Sequence, residues 1–105
     1  MKISKKIKAL LVLVTLVSST SMLASQGSNA YKRCSACHGI NADKEALGKS
    51  KVISEMTGAE LITALEGYKD GTYGGSMKGL MKGQVVSLSK ADIKTLSEYI
   101  VSLKK

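Results

Sequence analysis

The chain has 105 residues and a formal charge of +8, and its four aromatic residues are all tyrosine. That length bounds it to one small domain. Four of its lysines crowd the N-terminus and the rest are scattered among acids, which speaks against a nucleic-acid-binding surface.

Residues 1–25 have the layout of a signal peptide. Lys2, Lys5, Lys6 and Lys8 form a basic n-region, and Ala9 to Val17 an apolar h-region too short for a comfortable membrane span. Ser18 to Ser25 is small and polar, as a cleavage region should be. Ser19-Thr20-Ser21 fits the small-x-small rule, and Ala24 or Ser25 are further cleavage positions. Ser28-Asn29-Ala30 also fits, but cutting there removes the start of the first predicted helix. The competing expectation is an uncleaved N-terminal anchor. Residues 26–105 then form the domain, with twelve basic and eight acidic residues, a charge of +4. A core of that size is marginal alone and usually needs a staple.

A short helix is predicted from about Ser28 through Cys37, with Ser28 or Asn29 as its cap. It leads into Cys34-Ser35-Ala36-Cys37-His38, a C-x-x-C-H pentapeptide, the attachment signature of c-type haem. Two thiols three residues apart on a helical turn can add to the two vinyl groups of one porphyrin. His38 then offers an imidazole nitrogen to iron. The chain has two cysteines and one histidine, and all three stand in this motif. A thioredoxin-like site would need a βαβ setting, and a zinc site a second pair of ligands. A Cys34–Cys37 disulfide would close too short a loop to constrain much. In bacteria c-type haem is attached outside the cytoplasmic membrane, so export and motif agree. The haem would also be the staple.

A glycine-containing loop over 38–56 follows. Thr57-Gly58-Ala59-Glu60 is a capping box that opens a second helix, with Met56 and Leu61 at its staple positions. Leu61, Ile62, Leu65 and Tyr68 continue at helical spacing, and Gly67 and Gly71 mark the end. The stretch from Asp70 to Gly75 reads as a second loop. A last box, Ser89-Lys90-Ala91-Asp92, has Leu88 and Ile93 as staple. It opens a helix whose stripe is Ile93, Leu96, Ile100 and Leu103, with Tyr99 beside it. Tyr31 and Tyr99 are expected to pack where the terminal helices cross. Tyr68 and Tyr73 flank the haem or serve as core. No segment alternates with period two, so strands are not expected.

A six-coordinate electron-transfer haem needs a ligand opposite His38, and there is no second histidine. Methionine thioether is the usual alternative. Met56, Met77 and Met81 are the candidates. Met56 is accounted for as a staple, while Met77 and Met81 stand four apart and can share a helical face.

From Ser28 to Leu103 the chain resembles the small monohaem class I cytochromes c, notably the bacterial cytochrome c-553 type. The likeness rests on Cys34–His38 followed by Gly39, on Gly67-Tyr68, Asp70-Gly71 and Tyr73-Gly74-Gly75. It continues with a methionine six residues after Gly75 and a capped C-terminal helix containing Tyr99. It implies an all-α class I cytochrome c fold, its helices packed around one covalently attached haem c. It also implies Met81, rather than Met77, as the axial partner of His38. One departure is the missing proline after the histidine. A backbone carbonyl between Ala46 and Val52 is therefore expected to orient the imidazole. The implied function is a periplasmic single-electron carrier, a monomer and not an enzyme. Its partners would be redox proteins such as a membrane quinol–cytochrome c reductase, a terminal oxidase or a cytochrome c peroxidase. Membrane contact would come only through those partners or an uncleaved signal. The alternative is a haem peroxidase or gas-binding protein with an open iron site, which the single Arg33 and the lack of a second histidine disfavour.

Overall fold

The computed structural model describes residues 25–104, so the signal-peptide expectation falls, but for Ser25, outside the described residues. Four helices account for the architecture: α1 over 25–38, α2 Gly58–Asp70, α3 Lys78–Val85 and α4 Lys90–Ser102. Short 3-10 turns at Ala46–Gly48 and Ile53–Glu55 break the connection between α1 and α2. No strand occurs among the described residues.

Two helices begin where the sequence places their caps. The Thr57 side chain accepts from the Glu60 amide at 3.1 Å, and the Glu60 carboxylate accepts from the Thr57 amide at 2.9 Å. Ser89 and Asp92 repeat the exchange at 3.0 and 2.9 Å. Each box satisfies two amides that a helix start would leave orphaned. Met56 and Leu88, just outside the boxes, pack against the core as staples should. Gly71, in the left-handed region at φ 84°, ends α2.

Gly67 does not end α2. It lies inside the helix, where a Cβ would stand 2.4 Å from Tyr73 Cβ. The glycine lets the chain after the helix fold back across it, which puts Tyr73 edge-on against Tyr68, ring centroids 5.1 Å apart. Helix α1 likewise runs through Ser28 and Asn29 rather than being capped there. At Gly27 a Cβ would meet Tyr99 Cβ at 2.9 Å and the Thr95 carbonyl at 3.2 Å, so α1 already lies against α4 at that turn. Helix α3 fills part of what reads as an uncapped stretch. It carries Gly79 and Gly83, and its cap residue Met77 makes no side-chain bond.

One apolar cluster joins the helices. It takes Tyr31 from α1, Leu61 and Leu65 from α2, Val85 from α3, and Ile93, Leu96 and Ile100 from α4. The α4 residues are the stripe expected from their spacing, each at most 2% exposed. Burying such a side chain contributes about 1.5–3 kcal/mol. Tyr31 and Tyr99 meet at 5.6 Å with their planes tilted 48°, at the expected crossing of α1 and α4.

Candidate haem-attachment site

The attachment motif occupies the last turn of α1 and ends on His38. Cys34 is half-buried, Cys37 is exposed, and neither is in a disulfide. The Cys34 thiol points back toward the Ala30 carbonyl, with S···O 3.9 Å, and burial pushes its pKa up. It packs against the central apolar cluster. His38 is buried at 5% exposure, and burial lowers its pKa. Burial thus favours the neutral imidazole, the form that can donate a lone pair to a metal.

The turn after His38 is tightly specified. The Lys44 amide donates to the His38 carbonyl at 3.0 Å, and Gly39 turns through φ 86°. The Tyr31 hydroxyl donates to the buried Gly39 carbonyl at 2.6 Å, and the Ala42 amide donates to the same oxygen at 3.1 Å. Tyr31 thus reaches from the middle of α1 to fix the backbone one residue beyond His38. Sequence reasoning placed Tyr31 in the core, and only the fold shows where its hydroxyl points. Burial foremost, with the negative charge of Cys34, Tyr99 and Asp43 when ionised, pushes its pKa up to about 12.

One expectation fails here. No carbonyl between Ala46 and Val52 accepts from the imidazole: His38 Nδ1 is buried without a hydrogen-bond partner. The loop reaches that region through turns that use its carbonyls locally. Ala46 accepts from Lys49 and Ser50, and Val52 from Glu55. A buried imidazole one residue after a free thiol is the arrangement haem c requires. Two thiols at this spacing complete the donor set.

The methionines are placed unequally. Met81 lies within α3, one turn before the buried Val85 on the same face, and packs against the core cluster. Met77 caps the helix outside that cluster. Met56 packs against the core and lines a pocket of about 280 Å³ with Lys51, Ala59, Glu60, Thr63 and Tyr73. Among the described residues no three His, Cys, Asp or Glu side chains gather as a metal cluster, so nothing supports the zinc reading.

The family model described as Cytochrome c matches residues 24–104. The chain belongs to the cytochrome c family. It is 36% identical over 97 residues to cytochrome c-553 of Helicobacter pylori, covering 92% of this chain and 98% of that protein. Cytochrome c-553 of Nitratidesulfovibrio vulgaris is 33% identical over 84 residues, 80% of this chain and 82% of its own. Cytochrome c-553 of Desulfomicrobium norvegicum is 39% identical over 75 residues, 70% and 91% of the two chains. The chain is a small monohaem cytochrome c of the c-553 type, an electron carrier with one covalent haem c and not an enzyme. The all-α class I fold implied by the sequence resemblance agrees with the four helices.

Proposed function

We propose that residues 26–105 form a periplasmic carrier of single electrons, exported by the signal peptide over 1–25. Cys34 and Cys37 hold the haem through thioethers, and His38 and Met81 bind its iron. The observation that supports this reading is the placement of His38, buried at the end of the helix that presents both free thiols. The bound haem supplies a one-electron Fe(III)/Fe(II) couple. The chain's part would be to hold two donors for its iron, the His38 imidazole and the Met81 thioether. Tyr31 and the Lys44 amide fix the backbone around His38, and the packing of α3 on α2 turns Met81 toward the core. A thioether donor together with an imidazole would favour the ferrous state and raise the potential.

The partners are redox proteins, such as a membrane quinol–cytochrome c reductase, a terminal oxidase or a cytochrome c peroxidase. Lys78 and Lys82 stand on α3 beside the exposed Leu80, with Lys82 near enough to Asp70 to act on its carboxylate. Such a surface supports brief, electrostatically steered docking on an acidic partner.

Intact mass and optical spectra of the purified protein test the reading. The mass should equal the polypeptide from about residue 26 plus one haem, and acidic organic extraction should leave that haem attached. The oxidised protein should show the weak near-infrared band of methionine–iron bonding. Met81→Ala should abolish it and lower the potential, while Met77→Ala should leave it. A band lost only in Met77→Ala reverses the assignment, and release of free haem on extraction rejects covalent attachment.

A further inference from the structure

We propose that Arg33 is a positioning residue that holds α3, and with it Met81, in place relative to α1. The proposal rests on Met81 as the iron ligand. It starts from the weakness of α3, an eight-residue helix with two glycines inside it and no side-chain cap at Met77. Its first turn has no acid to complement the helix dipole, and Val85 is its one buried residue. Helices this short are not stable without outside contacts.

The outside contact at its C-terminal end comes from α1. Arg33 Nη1 donates to the Gln84 carbonyl at 3.3 Å, across 51 residues of sequence. Gln84 lies in the last turn of α3, where carbonyls lack helical partners and the dipole is negative. A guanidinium there satisfies a carbonyl and complements the dipole together. Arg33 directly precedes Cys34, on the helix that ends in His38. One side chain therefore links the element that carries His38 to the element that carries Met81. A second cation, Lys69 of α2, donates to the Leu88 carbonyl. That bond lies beyond α3 and fixes its connection to α4, so it does not replace the Arg33 contact.

An exposed hydrogen bond of this kind contributes little to global stability. Its loss should appear instead in how often α3 swings away, because local opening draws on the least stable segment. External ligands reach six-coordinate iron only when the methionine leaves. The rate at which imidazole binds the ferric protein thus reports that opening.

In the haem-loaded protein, Arg33→Ala should speed imidazole binding about two- to fivefold, the scale of one exposed charge-assisted hydrogen bond. Amide hydrogen exchange in α3 should accelerate by a similar factor, with α2 and α4 unchanged. Arg33→Lys keeps a cationic donor and should stay near the wild-type rate. The proposal is overturned if Arg33→Ala leaves both the imidazole rate and the α3 exchange unchanged while Met81→Ala opens the iron. It is overturned equally if Arg33→Lys accelerates binding as much as Arg33→Ala. A near-infrared band that survives Met81→Ala rejects the ligation reading instead, which separates the two failures.

Discussion

Tyr31→Phe removes a single oxygen and tests how the backbone beyond His38 is held. The hydroxyl donates to the Gly39 carbonyl at 2.6 Å in a buried setting, and the ring stays packed on Tyr99. Phenylalanine keeps the ring and its burial, so the change isolates the hydrogen bond. The Gly39 carbonyl retains the Ala42 amide as a partner, so it is not orphaned. The cost should therefore be about 1–1.5 kcal/mol rather than the larger penalty of an unsatisfied group. For a domain of this size that corresponds to a fall of about 4–10 °C in Tm. The pH dependence supplies a second signature, that of the hydroxyl's burial. Folding raises the Tyr31 pKa from 10.0 to about 12, so the folded state holds this proton more tightly. The associated stability is complete below pH 10 and is lost as pH rises through about 12. Denaturant titrations of the haem-loaded wild type and variant at neutral pH, then stepwise up to pH 12, measure the gap between them. It should be constant at neutral pH and close over the alkaline range. A variant as stable as wild type at neutral pH would refute the assigned bond, and a gap that persists unchanged to pH 12 the burial of the hydroxyl.

Gly67→Ala should destabilise the fold by about 1–3 kcal/mol through overpacking, since its methyl would stand 2.4 Å from Tyr73 Cβ; Tyr73→Gly in the same chain should recover most of that loss in thermal melts. Ser89→Ala should cost about 1 kcal/mol and fray the start of α4 in hydrogen exchange, with α2 unaffected. Both capping boxes depress their carboxylate pKa values, through backbone and side-chain hydrogen bonds from Thr57 to Glu60 and from Ser89 to Asp92. Their contribution is present above the ordinary carboxylate pKa and lost as pH falls through the depressed values, so acid should shrink the Ser89→Ala effect. Electron transfer to an acidic partner should slow with rising salt, and Lys78→Ala with Lys82→Ala should flatten that dependence; a rate indifferent to salt points to apolar docking.

Much of this architecture is legible because it is written in short-range chemistry. The two boxes at Thr57 and Ser89 announce α2 and α4 with side chains that bond their own helix, so no tertiary knowledge is needed. The stripe of Ile93, Leu96 and Ile100 has one burial pattern whatever it packs against. Helix α3 is illegible for the opposite reason: its glycines and bare N-terminus give no local signal, and it stands by leaning on α2. Gly67 reads as a stop signal because glycine so often is one, whereas its reason is Tyr73, met only after the chain reverses. The motif from Cys34 to His38 names the cofactor by spacing alone. The Tyr31 and Arg33 contacts depend on residues brought close by the fold, and no spacing rule reaches them.

The crossing at Gly27 also sets an order of events. It joins residue 27 to residues 95 and 99, so the contact that closes the core needs both ends of the chain at once. A chain made from its N-terminus therefore lacks this contact until nearly its last residues are present. During that interval α1, which ends in the attachment motif, has no α4 to pack against at Gly27. The helix that carries the motif thus depends for its packing on the last helix of the chain.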